Sequence, residues 1–180
     1  MNKNNPLLLF MLIFVLFQSC LEKEEVQMID FNYLGISFQY PSNWKELDHS
    51  TVLFGIADND LFQGSQSNIL LIGMDSMELR LREIESFSEY YTGINYMLSQ
   101  KENYKLQEPL ESVDLNKVHC KKVVYELIDK NILQTHYFFD YKTSFYSIIV
   151  TEPIESRTEE TQKILSTFSL QEEEKENLFH

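Results

Sequence analysis

Leu133-Gln134-Thr135-His136-Tyr137-Phe138-Phe139-Asp140-Tyr141, then Lys142-Thr143-Ser144, then Phe145-Tyr146-Ser147-Ile148-Ile149-Val150, is the stretch that decides the fold. Leu133, Thr135, Tyr137, Phe139 and Tyr141 recur at every second position, the period of a strand. The three polar residues make a turn, and Tyr146, Ile148 and Val150 resume the alternation on the way back. Six Phe and Tyr residues fall between Tyr137 and Tyr146. Phe138 and Phe139 are neighbours and cannot both face one side. A strand that is apolar on both sides is expected where helices cover both faces of a sheet. The alternative is an exposed aromatic patch for a partner; the covered sheet is the preferred reading.

Working back from this hairpin, Asp129-Lys130-Asn131 is a turn, and Lys117 to Asp129 is another strand. In it Val118 and Cys120 share one phase and Val123, Tyr125 and Leu127 the other, which a bulge near Lys121-Lys122 would reconcile. Tyr104, Leu106 and Leu110 mark a strand before that, with Pro109 suggesting an edge or a bulge. The four together predict an antiparallel meander. Upstream the period changes. Ser86-Phe87-Ser88-Glu89 is a capping box, and Phe87, Tyr90, Tyr91, Ile94, Met97 and Leu98 follow at three- and four-residue steps, predicting a helix from Phe87 to Lys101. Met77 to Glu85 either extends this helix backwards or forms a separate turn.

Nearer the N-terminus, Ile36, Phe38 and Tyr40 alternate with polar Ser37 and Gln39, Gly35 suits a turn, and Pro41-Ser42-Asn43-Trp44 closes the strand. Thr51 to Ala57 and Asn68 to Met74 are further apolar runs, divided by a polar loop from Asn59 to Ser67. Past the meander, Pro153 interrupts pairing. Ser156-Arg157-Thr158-Glu159 caps a last helix with Thr161, Ile164, Leu165 and Phe168 on one stripe. Strands, helix, meander and closing helix predict an α+β fold, an antiparallel sheet sandwiched by helices. The short strand pair ending in Tyr40-Pro41-Ser42-Asn43-Trp44, the mid-chain helix, the Tyr137–Val150 hairpin and the end helix closing in Ser166-Thr167-Phe168 resemble the PsbP-like domain, named for an extrinsic subunit of photosystem II. The resemblance covers Asp30 to Leu170. It implies an α/β/α sandwich whose members bind proteins, act as chaperones or have no known role, and it carries no functional residue onto this chain.

The first residues do not belong to that fold. Lys3 sits in a weakly basic start, and Leu7 to Phe17 is an apolar run of eleven residues, too short for a membrane-spanning helix of about 20 and suited to a secretory signal. It leads into Leu16-Phe17-Gln18-Ser19-Cys20, which resembles a bacterial lipobox, with Phe17 where Leu is commoner and Gln18 where a small residue is commoner. The resemblance implies that Cys20 carries diacylglycerol and becomes the mature N-terminus. The alternative is an ordinary signal peptide with an incidental cysteine. The lipobox is preferred, since a thiolate is the only nucleophile at the end of the run. Leu21-Glu22-Lys23-Glu24-Glu25 follows. It resembles the acidic surface-export tags of Bacteroidota lipoproteins, or it is simply a solvated tether. The expected organisation is a signal peptide over 1–19, an acylated Cys20 and tether over 20–29, a domain over 30–170 and an acidic tail over 171–180.

The 180 residues are 43% apolar and 13% aromatic, enough for one globular domain. The net charge is −13, and removing residues 1–19, with one lysine and no acid, leaves 14 basic against 28 acidic residues, or −14. Such a charge repels phosphate backbones, so nucleic-acid partners are excluded, and acyl chains rather than electrostatics must hold the body to an anionic bilayer. No nucleophile elbow, phosphate-cradling glycine loop or helix-borne histidine pair is present. His119 and Cys120 are adjacent on a strand, so their side chains diverge; Cys120 reads as a small buried residue. His49, His136 and Asp48 could converge with Asp58 or Asp60 on a metal, but no spacing requires it. His136 lies in the polar phase of its strand and is expected to face solvent or a helix. No catalytic residue, cofactor or metal is assigned.

The sequence therefore points to a non-enzymatic lipoprotein, anchored through Cys20 in the bacterial cell envelope, with the outer membrane as the expected location and an unidentified protein as partner. Two other readings stay open: an anchored protein that neutralises a secreted toxin, whose basic target would suit the acidic body, and an enzyme with an unrecognised site.

Overall fold

The computed structural model describes residues 26–58, 67–154 and 159–171. Cys20, all but Ser67 of the Asn59–Ser67 loop, the Ser156–Thr158 cap and nearly all of the acidic tail lie outside the described residues. In chain order come β1 (Met28–Tyr33), β2 (Ile36–Pro41), β3 (Lys45–Glu46), β4 (Phe54–Ala57) and β5 (Asn68–Met74), then helices α1 (Ser76–Leu81) and α2 (Phe87–Ser99). After them come β6 (Tyr104–Leu115), β7 (Val118–Leu127), β8 (Ile132–Tyr141), β9 (Ser144–Pro153), α3 (Glu159–Ser166) and β10 (Ser169–Leu170). A seven-stranded sheet runs β3-β4-β5-β9-β8-β7-β6, and a three-stranded one runs β1-β2-β10. The predicted meander is the β6–β9 half of the larger sheet, antiparallel throughout.

Its turns follow from backbone freedom. Leu115 pairs with Val118, so Asn116 and Lys117 form a two-residue loop with φ of +46° and +73°. Positive φ at both positions gives the turn whose twist matches the flanking strands. Tyr141 pairs with Ser144 across Lys142 and Thr143, with Lys142 at φ +56°. At the first hairpin Gly35 has φ +91°, and a Cβ there would stand 2.5 Å from the Tyr141 hydroxyl, so only glycine fits.

Both faces of the large sheet carry a packed layer over the aromatic strands β8 and β9, which settles the reading of those strands. On one face β1, β2, β10 and α3 close a core of Phe38, Trp44, Leu71, Phe139, Ile148 and Phe168 among others. On the other, α1 and α2 close a second core of Leu79, Tyr90, Leu98, Val123, Tyr125 and Phe138. Phe138 and Phe139 each lie fully buried, one in either core. Burying a side chain of that size is worth about 2–3 kcal/mol.

The covered faces also correct the expected bulge at Lys121-Lys122. β7 keeps unbroken register with β8 from Lys121↔Phe138 to Leu127↔Ile132. Val118 and Cys120 pack in or against one core while Val123 and Tyr125 fill the other, so opposite phases need no irregularity. The register shifts lie instead in β6, between Leu106 and Glu108 and between Glu108 and Glu111, around Pro109 on the sheet's edge. There proline's missing N–H deprives no neighbour.

Around α2 the capping box forms as expected. Ser86 Oγ accepts from the Glu89 N–H at 3.2 Å, and Glu89 Oε2 accepts from the Ser86 N–H at 3.1 Å. The helix stops at Ser99, two residues short of the expected Lys101. Met77 to Glu85 is no extension of it: Asp75 caps a separate short helix, accepting from the Met77 and Glu78 N–H groups. Trp44 is buried as the Pro41–Trp44 segment implied, and its Nε1–H donates to Glu160 Oε2 at 3.0 Å, tying the segment after β2 to α3.

Candidate functional site

Thirteen-residue α2 is too narrow to cover the whole second face of a seven-stranded sheet. It lies over the β6–β8 side, and a groove of about 660 Å³ is left toward β5. Tyr90, Ile94 and Met97, at helical spacing, form one wall. Ser50 to Leu53, leading into β4, form the other. Ile72, Ser147, Ile149 and His136 line the groove from β5, β9 and β8, and Glu78 and Arg82 reach it from α1 and the residue after it.

The polar groups of the sheet face are few and ordered. Ser147 Oγ lies 2.9 Å from the Tyr90 hydroxyl, and both residues are buried. Gln134 Oε1 accepts from the Tyr104 hydroxyl at 3.2 Å and from His136 Nε2 at 3.0 Å. The proton of His136 therefore sits on Nε2, and Nδ1 keeps a bare lone pair. Among the described residues, that buried Nδ1 has no hydrogen-bond partner. Burial, helped by the positive charge of Lys101, pushes the imidazole down to about 4, so it is neutral at pH 7. Burial likewise raises the Tyr90 phenol. Arg82 and Glu78 pair at 2.8 Å, which leaves the pair with no net charge.

This set does not assemble a nucleophile. Ser147 is bonded to Tyr90, the imidazole Nε2 is taken up by Gln134, and Nδ1 makes no bond to the serine. Cys120 is 1% exposed, and burial pushes its thiol up to about 12, so it carries no reactive thiolate. His119 points the other way, into solvent, with Nδ1 3.2 Å from Asp114 Oδ1. His49 bonds Thr51, its Nδ1 2.8 Å from the hydroxyl. Among the described residues no three His, Cys, Asp or Glu side chains are grouped to hold a metal. Asp60 and Cys20 lie outside the described residues.

The surface carries two smaller features besides the groove. A hollow of about 470 Å³ separates α1 from the β8–β9 turn, lined by Arg80, Glu83, Glu85 and Lys142. On the sheet, Lys122 Nζ meets Glu108 at 2.5 Å and Glu111 at 3.5 Å. Burial works against the ammonium there, but its hydrogen bond and attraction to Glu108 prevail and hold its pKa up. This cluster staples bulged β6 to β7.

Sequence reasoning placed His136 facing solvent or a helix. It faces the helix layer and is buried under it, stacked on Phe138 at 5.8 Å between ring centroids. The signal was present in Gln134, His136 and Ser147, polar residues on the strand phase that also carries Phe138 and Ile149, but nothing local says whether that face is covered.

A family model described as PsbP-like protein matches residues 18–170. The chain belongs to the PsbP-like family. The PsbP-like domain is similar in structure to the cyanobacterial PsbP (CyanoP) of Synechocystis sp. PCC 6803, with a TM-score of 0.55 and 11% identity over 84% of this chain and 97% of that one. It is also similar to a protein of Bacteroides thetaiotaomicron VPI-5482 (TM-score 0.47, 15% identity), covering 80% of this chain but only 48% of that longer one. LpqN of Mycobacterium tuberculosis, involved in cell envelope biogenesis, gives a TM-score of 0.46 at 10% identity over 81% of this chain and 92% of its own. No curated protein matches the sequence. At these identities the likeness to CyanoP carries the fold and no residue roles.

Proposed function

We propose that this protein is a lipid-anchored, non-enzymatic accessory module of the bacterial cell envelope, a PsbP-like domain held at the outer membrane through Cys20 and engaging an envelope protein. The observation that carries the reading is Ser19-Cys20 at the end of the eleven-residue apolar run, six positions ahead of Val26, where the described domain begins. Among the described residues no helix is long and apolar enough to cross a membrane; on this reading the diacylglycerol on Cys20 supplies the attachment. The sealed Cys120 and the separated histidines support a binding role over thiol or acid–base catalysis. With a charge of −14 after processing, the body does not bind nucleic acid.

Cys20→Ser tests the anchor. The variant is expected to be unacylated and either released to the soluble fraction or retained as unprocessed precursor. Unchanged fractionation with membranes, together with an unchanged delipidated mass, would refute the anchor.

A further inference from the structure

We infer that the groove between α2 and the Ser50–Leu53 segment is a binding site for a small, neutral, mostly apolar molecule that carries one hydrogen-bond donor, an alcohol or N–H group, which it delivers to Nδ1 of His136. Three observations specify the ligand. The groove is lined largely by Val52, Leu53, Ile72, Ile94, Met97 and Ile149, so the body of the ligand is apolar. The charges that reach it, Arg82 and Glu78, are paired with each other, so nothing selects an ion. Nδ1 is a buried acceptor without a donor, because Nε2 already gives its proton to Gln134.

An unmet buried acceptor is a standing cost to the free protein, and a ligand donor relieves it. The imidazole is neutral down to about 4, so it accepts without competition from a proton across the physiological range. The neighbouring Tyr90 and Ser147 hydroxyls satisfy each other and need no ligand. Met97 is 60% exposed and unbranched, which makes it the wall that can yield to an entering molecule.

Indole and benzofuran test the inference, since they share a shape and differ in the single N–H donor. The full chain, held in lipid nanodiscs and labelled at its isoleucine methyls, is titrated with each, and dialysis against empty nanodiscs fixes the free probe concentration. Indole is expected to move the Ile72, Ile94 and Ile149 methyl signals and leave Ile36 and Ile164, in the opposite core, in place. Benzofuran is expected to bind roughly fivefold more weakly, the ratio that one net hydrogen bond gives. His136→Phe should erase the ratio, and Met97→Trp, which fills the groove from its exposed wall, should abolish binding of both. If His136→Phe does not fold, the wild-type ratio and Met97→Trp decide. Equal affinities, shifts centred outside the groove, no shifts at all, or binding that survives Met97→Trp would each overturn the inference.

Discussion

Acidification should weaken this fold through one buried imidazole. His136 titrates at about 4 in the folded chain against 6.5 when exposed. Between those values the unfolded chain binds a proton that the fold refuses, so stability rises with pH across the interval. The contribution is fully present above pH 6.5, falls as the pH drops, and is exhausted below about 4. At roughly 1.4 kcal/mol per pH unit the whole interval is worth about 3 kcal/mol, and about 2.5 kcal/mol of it is gone by pH 4.5. Every other ionisable group is common to the native chain and a His136 variant, so the informative quantity is a difference. Urea unfolding followed by Trp44 fluorescence at pH 7.5, 6.5, 5.5 and 4.5, in the native chain and in His136→Phe, cancels everything the two share. The native protein should lose about 2.5 kcal/mol more than the variant between pH 7.5 and 4.5. Parallel stability profiles would show that His136 is solvated or charged in the fold, and would remove the bare acceptor from the groove.

Trp44→Ala removes a side chain that is 4% exposed along with its bond to Glu160, and should cost about 3–5 kcal/mol; a thermal midpoint that barely moves would place Trp44 outside the core. Cys120 should react slowly with iodoacetamide in the native state and quickly in urea, whereas rapid labelling of the folded protein at neutral pH would mean an activated thiolate. Ser86→Ala breaks the cap on the Glu89 N–H and should destabilise by about 1 kcal/mol, read as a shift in urea midpoint at constant slope.

The meander was legible because Leu133 to Tyr141 and Tyr146 to Val150 each show period two and the turns between strands carry polar residues. The capping box of α2 was legible because Ser86 and Glu89 satisfy each other locally. β3 and β10 were not, since two residues cannot display a period. The bulge was misplaced because a phase change in β7 looks the same whether the strand is irregular or covered on both sides; only the tertiary pairing tells these apart. The groove could not be read at all. It arises from the mismatch between one helix and a wide sheet, a difference of widths that no window of sequence contains. Nor does the chain announce that Gln134 fixes the tautomer of His136 two residues away, since that depends on Tyr104 arriving from another strand.

The pairing of Phe138 with one core and Phe139 with the other leaves β8 short of information about its own alignment. In a sheet wet on one side, sliding a strand by one residue throws its apolar set into water, and that penalty guards the pairing. Here a slide would exchange two aromatic neighbours between two apolar layers, at little hydrophobic cost. The guard must come from elsewhere, and the polar residues supply it. A one-residue slip of β8 against β9 would carry His136 into the layer around Phe139 and Ile148, away from Gln134's partner Tyr104, and would displace the left-handed Lys142 from its turn. The same slip in β9 would part Ser147 from Tyr90. The sparse buried polar groups of the second face thus act as alignment marks, and a chain stripped of them for a more apolar core would gain burial while losing the means to choose one pairing over its neighbour.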